Sequence, residues 1–132
     1  MKLFLDNNLP PRVARALNEL VEPDGHQVVH LRDMFSHSTP DVTWLSELGS
    51  QGGWTILSAD MRIHKNKAER EAWRRSNTIA FFMTRSWSRL KFTEKAAKIL
   101  LRWSDLETQT KLVAAPAAFE IGLSGKMKQL KG

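Results

Sequence analysis

The sequence contains no cysteine, which excludes disulfide staples, zinc–thiolate sites and thiol catalysis together. It lacks any apolar run approaching the ~18 residues a membrane-crossing helix needs. The opening Met1–Leu5 run stops at Asp6, too short for a secretory signal core, so a soluble cytoplasmic protein with no membrane partner is expected. No glycine-rich phosphate loop or dinucleotide fingerprint is present, which argues against nucleoside-triphosphate and NAD chemistry. No Ser–His–acid arrangement can be read. Acids are also scarce: 14 Asp+Glu face 20 Lys+Arg, a formal net charge of +6. Such an excess favours polyanions, nucleic acid before an anionic membrane surface, unless it serves only as a solvated surface.

What is present suits one globular domain. The 132 residues are 42% hydrophobic, with 7 Gly and 5 Pro. A chain of this length buries roughly two-thirds of its unfolded surface and needs no staple. Lys2–Leu5 reads as a buried strand, and Pro10-Pro11 as the start of a helix carrying Val13, Ala14, Leu17, Leu20 and Val21. A second strand is expected over His26–Leu31. Thr39-Pro40-Asp41 reads as a cap, a first-turn proline and a first-turn acid, opening a helix with Val42, Leu45 and Leu48 inward. Strands follow at Trp54–Leu57 and Thr78–Met83, with a basic helix at Lys67–Arg75 between them. Thr93 is placed to cap one long helix with Ala96, Ile99, Leu100, Trp103 and Leu106 on a single face. Alternation through Phe119, Ile121 and Leu123, a Ser124-Gly125 turn, then Met127 and Leu130 suggest a terminal hairpin. The order implies an α/β fold: a mainly parallel sheet with helices on both faces, in one domain over 1–132, with a core at 1–112 and a hairpin extension at 113–132.

In such sheets ligands bind beyond the carboxyl ends of the strands. Asp6 closes the first strand there, Asp33 follows the second, and Asp60 closes the third. Asp41 sits in the first turn of the helix leading to the third strand. Right-handed crossovers bring the strand ends to one rim, so Asp6 and Asp60 are expected to be neighbours. Clustered carboxylates repel unless a cation neutralises them, and oxygen ligands suit magnesium or manganese. A metal-activated water beside a basic surface would then suit phosphodiester hydrolysis. The plainer reading of each acid is a turn former or helix cap, above all for Asp33 and Asp41.

Leu5-Asp6-Asn7-Asn8-Leu9-Pro10-Pro11, His30-Leu31-Arg32-Asp33, Thr39-Pro40-Asp41 and Ser58-Ala59-Asp60-Met61-Arg62-Ile63 occur in that order. Together they resemble the PIN-like domains of VapC-type toxin ribonucleases, in the shorter branch that opens on a Leu-Asp-(Glu or Asn)-Asn-Leu-Pro signature. The resemblance spans about residues 2–85 by motif and the remainder by element order. It implies a metal-dependent endoribonuclease, the toxin of a toxin–antitoxin pair, using magnesium or manganese and acting on RNA. It also implies an antitoxin protein partner, and a homodimer is a further expectation. By position Asp6, Asp41 and Asp60 match the metal-holding, catalytic acids, with Asn7 and Asn8 supporting Asp6 or touching substrate. Relatives often carry another acid two positions after Asp60, where this chain has Arg62. That departure leaves room for a catalytically silent RNA- or protein-binding module.

Arg62, Lys65, Lys67 and Arg70 are the candidates for gripping an RNA backbone, within a basic stretch that continues through Arg74 and Arg75. Arg85 extends it after the fourth strand. Trp73 and Trp87 are candidates for RNA or partner contact, Trp87 as a stacking platform, while Trp44, Trp54 and Trp103 read as packing. A phosphoacceptor role for Asp60, as in receiver domains, finds only Thr84 in its favour and no Lys-Pro after a fifth strand.

Overall fold

The computed structural model describes residues 1–131, with the side chain of Arg62 outside the described residues. Its strands are β1 (Lys2–Leu5), β2 (Gln27–His30), β3 (Trp54–Ser58), β4 (Ile79–Met83), β5 (Ala117–Ile121) and β6 (Met127–Leu130). Its helices are α1 (Pro11–Val21), α2 (Leu31–Met34), α3 (Asp41–Gln51), α4 (Arg62–Lys65), α5 (Lys67–Ser76), α6 (Phe92–Leu101) and α7 (Trp103–Leu112), with tighter turns at Glu22–Asp24 and Arg85–Arg89.

The six strands form one sheet in the order β2-β1-β3-β4-β5-β6. The first five are parallel, and β6 returns antiparallel on β5. This is the expected α/β architecture with its terminal hairpin. The hairpin is part of the sheet, since β5 pairs along β4 with Phe81 opposite Phe119.

Strand alternation builds two cores. Leu3, Leu5, Leu57, Phe81 and Phe119 face α1, α6 and α7, whereas Phe4, Ile56, Ala80 and Phe82 face α3, α4 and α5. Every residue of β3 and β4 is buried, as a sheet covered on both faces requires. Phe4 stacks on Trp44 with ring centroids 5.0 Å apart. Helices α3 and α5 touch closely because Gly49 has no side chain; a Cβ there would lie 2.7 Å from Ser76 Cα.

Several local expectations are corrected. Thr39 caps nothing: Pro40 is the N-cap of α3, and the Thr39 hydroxyl bonds Ser36. Leu20 and Val42 point outward, 61% and 45% exposed, and Trp44 takes the inward place on α3. The long C-terminal helix breaks at Arg102, where the chain turns into α7. Ile99, Trp103 and Leu106 still share one core, so periodicity across the break resembled a single stripe. Leu31 opens α2 and does not extend β2. Trp73 and Trp87, the candidates for RNA or partner contact, are buried at 0% and 3% exposure. Trp73 fills the core beneath α5, and the Trp87 indole donates to the Ile121 carbonyl at 3.0 Å. Neither ring offers a face to a base.

Candidate functional site at the strand exits

β1 and β3 run side by side with Leu5 in register with Leu57, so Asp6 leaves its strand beside Ser58. Asp6 is only 5% exposed. The Ser58 hydroxyl donates to Asp6 Oδ2, and the Asn8 backbone amide donates to Oδ1 at 3.2 Å. The same Ser58 oxygen accepts the Asp60 amide at 2.9 Å. One buried hydroxyl therefore ties the exits of two adjacent strands together. Ser58 was visible in sequence only as the small polar residue two places before Asp60, and its linking role was missed.

The electrostatics follow from this packing. Burial pushes the Asp6 carboxyl up from 3.8 to about 6, the Ser58 and Asn8 hydrogen bonds oppose the rise, and the charges of Asp60 and Asp41 add to it. Asp41, half-buried at the start of α3, accepts the Trp44 indole N–H at 2.9 Å. The three aspartates thus share one rim. Among the described residues, no three His, Asp or Glu side chains converge closely enough to form a ready metal cage. The donor chemistry still fits a hard divalent cation. Magnesium is commonly held by one or two carboxylates, with water and substrate phosphate completing its shell. Asp6 and Asp60 are the candidates for such a pair, and a cation would offset the neighbouring charge that adds to the effect of burial on Asp6.

Other candidates go elsewhere. Asp33 is exposed, and its Oδ2 accepts the His30 amide at 2.9 Å, closing the first turn of α2. The His30 ring is buried, with Nδ1 accepting from the Arg32 amide at 3.0 Å. That leaves Nε2–H to donate to the Leu9 carbonyl at 2.6 Å, and burial lowers the pKa of the ring. A neutral His30 thereby pins the β1–α1 loop to the end of β2. Asn7 donates its side-chain amide to the His37 carbonyl at 2.9 Å, so it braces the loop before α3 and does not bond Asp6. Asn8 supports Asp6 through its backbone.

Beside the acidic rim lies a cleft of about 490 Å³, lined by Asn8, Lys65, Thr84, Arg85, Ser88 and Lys95 among others. Ala59, next to Asp60, is in its wall. Lys65 and Arg85 are exposed and were expected here; Lys95, reaching in from α6, was not, because it lies far along the chain. Lys67 is exposed in the first turn of α5 and Arg70 is half-buried one turn on. The basic stretch does not act as one surface. Helix α5 leads back to the start of β4, so Arg74 and Arg75 in its last turn sit away from the strand exits, with Arg74 4.0 Å from Glu71. The Arg62 side chain falls outside the described residues.

No helix of the described residues is long and apolar enough to cross a membrane. In comparison with known proteins, the family described as PIN-like domain matches residues 1–85, the stretch from β1 through β4 that carries Asp6, Asp41 and Asp60. No curated protein and no solved structure gives a significant match.

Proposed function

The chain belongs to the PIN-like domain family, a fold compatible with nuclease function, and on that premise we propose that it is a metal-dependent endoribonuclease. In this reading it is the cytoplasmic toxin of a type II toxin–antitoxin pair. The observation that carries the proposal is the Asp6–Ser58–Asp60 linkage: the Asp6 carboxylate and the Asp60 backbone amide share one hydroxyl, so two strand-end acids leave the sheet side by side, one of them buried with its proton affinity raised, beside a cationic cleft. A buried carboxylate with a raised pKa beside a cleft marks a candidate working site.

Asp6 and Asp60 would hold magnesium or manganese, with Asp41 adding negative charge at the same rim. When bound, the cation supplies Lewis acidity and a water acidified towards neutrality. The chain's own residues do the rest. Ser58 and the Asn8 amide fix the Asp6 carboxylate so that it need not reorganise. Arg85 offers paired donors to phosphate oxygens, while Lys65 and Lys95 act as point charges holding the strand. His30 keeps the loop bearing Asn8 in place. An antitoxin that covers this rim would silence the activity by excluding RNA.

A second reading, an RNA- or protein-binding module without chemistry, draws on the lack of a closed ligand cage among the described residues and on Arg62 standing where an acid is common. The purified protein separates them when incubated with labelled single-stranded RNA and magnesium or manganese. Cleavage that stops with a chelator, and in Asp6→Asn and Asp60→Asn, supports the nuclease. Tight binding with no cleavage under either metal favours the module.

A further inference from the structure

We propose that the chain carries a second phosphate-binding cleft, along which an RNA strand continues from the acidic rim onto the C-terminal hairpin. The identity of the polyanion rests on the nuclease reading above. The cleft, about 540 Å³, lies between the Arg85–Arg89 turn and the β5–β6 hairpin. Thr84 lies in the walls of both clefts, so the two adjoin at the exit of β4. The Thr84 and Ser86 hydroxyls meet at 2.7 Å there. Arg89, Lys126 and Lys128, all exposed, supply three cations to the second cleft against one carboxylate, Glu120. Glu120 stands opposite Lys128 in the β5–β6 register.

These cations stand on a fixed scaffold. The Thr84 amide donates to the Ile121 carbonyl at 3.1 Å, joining the exits of β4 and β5. The hairpin turn rests on Arg102, whose Nη2 donates to the Leu123 carbonyl at 3.3 Å. Gly125, at φ +88°, lies so near that a Cβ would sit 2.9 Å from the Arg102 side chain. The break between α6 and α7 puts Arg102 under the turn, which gives that irregularity a consequence. Hydroxyls and cations on a preformed wall match a phosphate backbone, whose affinity comes from neutralised charges. Arg89, Lys126 and Lys128 also lie outside residues 1–85, so the family match does not account for them.

The test is fluorescence anisotropy of labelled single-stranded RNA in chelator, which prevents cleavage. Two lengths are compared: a few nucleotides, spanning the first cleft, and on the order of a dozen, long enough to continue into the second. The expected result is that Lys126→Gln combined with Lys128→Gln, and separately Arg89→Gln, reduce the preference for the longer RNA. For the double variant the reduction is roughly tenfold, and the salt slope of long-RNA binding falls by about 1.4. Lys111→Gln, which removes one cation as Arg89→Gln does but at the end of α7 away from the strand exits, keeps the wild-type preference. If the wild type binds and cuts RNA but all variants keep its length preference, the second cleft is wrong and the nuclease reading stands. If the wild type binds neither RNA, both fall.

Discussion

The exits of β1 and β2 are neighbours in the sheet, and an aspartate follows each, yet the two acids live in opposite circumstances. Asp33 is exposed and gives its oxygen to the backbone of its own turn, so the fold uses it completely. Asp6 is buried, receives one hydroxyl and one amide, and faces the charges of Asp60 and Asp41. Burying a carboxylate among carboxylates costs free energy, and an apolar side chain at that place would suit the core better. The contrast teaches which acid is structural: the one that stabilises its surroundings. Asp6, buried at a cost, is the acid that the proposed function assigns to a cation.

The sharpest break in this comparison is catalytic. Asp6→Asn and Asp60→Asn are each expected to lower metal-dependent kcat/KM on RNA by at least about a hundredfold, a loss of about 2.7 kcal/mol in transition-state stabilisation. Asp33→Asn should stay within roughly threefold of wild type. Equal losses from Asp33→Asn and Asp6→Asn would erase the distinction between the two exits.

Of comparable size is a pH effect on the metal-free protein. Asp6 binds its proton more tightly folded, at about 6, than unfolded, near 3.8. The folded state therefore takes up a proton between these values. Its contribution is fully present below about pH 4, is lost as the pH rises through about 6, and is flat above. The loss is on the order of 3 kcal/mol for a shift of this size. Urea unfolding in chelator should therefore find Asp6→Asn more stable than wild type at neutral pH, with the advantage shrinking towards pH 4. His30 works in the other direction. Its lowered pKa gives stability that is present above the unfolded value near 6.5 and lost as the pH falls through the folded one. If the stability difference between Asp6→Asn and wild type in chelator stays the same from pH 4 to neutral pH, Asp6 is not strained, whatever slope His30 gives both proteins.

How much of this was legible in the sequence differs between the exits for the same physical reason. The parallel sheet was readable because β3 and β4 are continuous apolar runs, and the strand-end positions of Asp6 and Asp60 followed from them. Their neighbourhood needed only the crossover rule. Whether an acid is used locally or left buried depends on side-chain direction, which periodicity does not carry; Asp33 reads as the plainer turn former beside Asp6, but its bond to the His30 amide and the burial of Asp6 needed the structure. Ser58 looked like the end of a strand because its two partners come from 52 and 2 residues away. Lys95 was beyond reach because helix packing, not sequence proximity, brings α6 to the cleft. The tryptophans show the converse. Trp73 lies on a helix with a strongly basic face, and nothing in that pattern told which way one large ring would point.

A smaller effect tests the link between the exits of β1 and β3. Ser58→Ala removes a donor from Asp6 and an acceptor from the Asp60 amide in a buried place. A loss of about 1–2 kcal/mol in stability is expected, measured by thermal or urea unfolding. Cleavage should fall together with apparent affinity for manganese, because Asp6 loses the hydrogen bond that favours its charged form. A stability loss with unchanged metal affinity would make Ser58 a packing residue only.

The smallest effect belongs to Asp33, and it completes the comparison from the structural side. Asp33→Ala leaves the His30 amide without its acceptor and should lower stability by about 1 kcal/mol. Asp33→Asn keeps an oxygen in the same place and should recover most of that loss. The sign is the point: asparagine is expected to be nearly neutral at Asp33 and stabilising at Asp6 in the metal-free protein at neutral pH. The same exchange at two adjacent strand ends then reports whether a carboxylate is held for its oxygen or for its charge. If Asp33→Asn loses as much stability as Asp33→Ala, charge matters at both exits, and the division between them has to be drawn elsewhere.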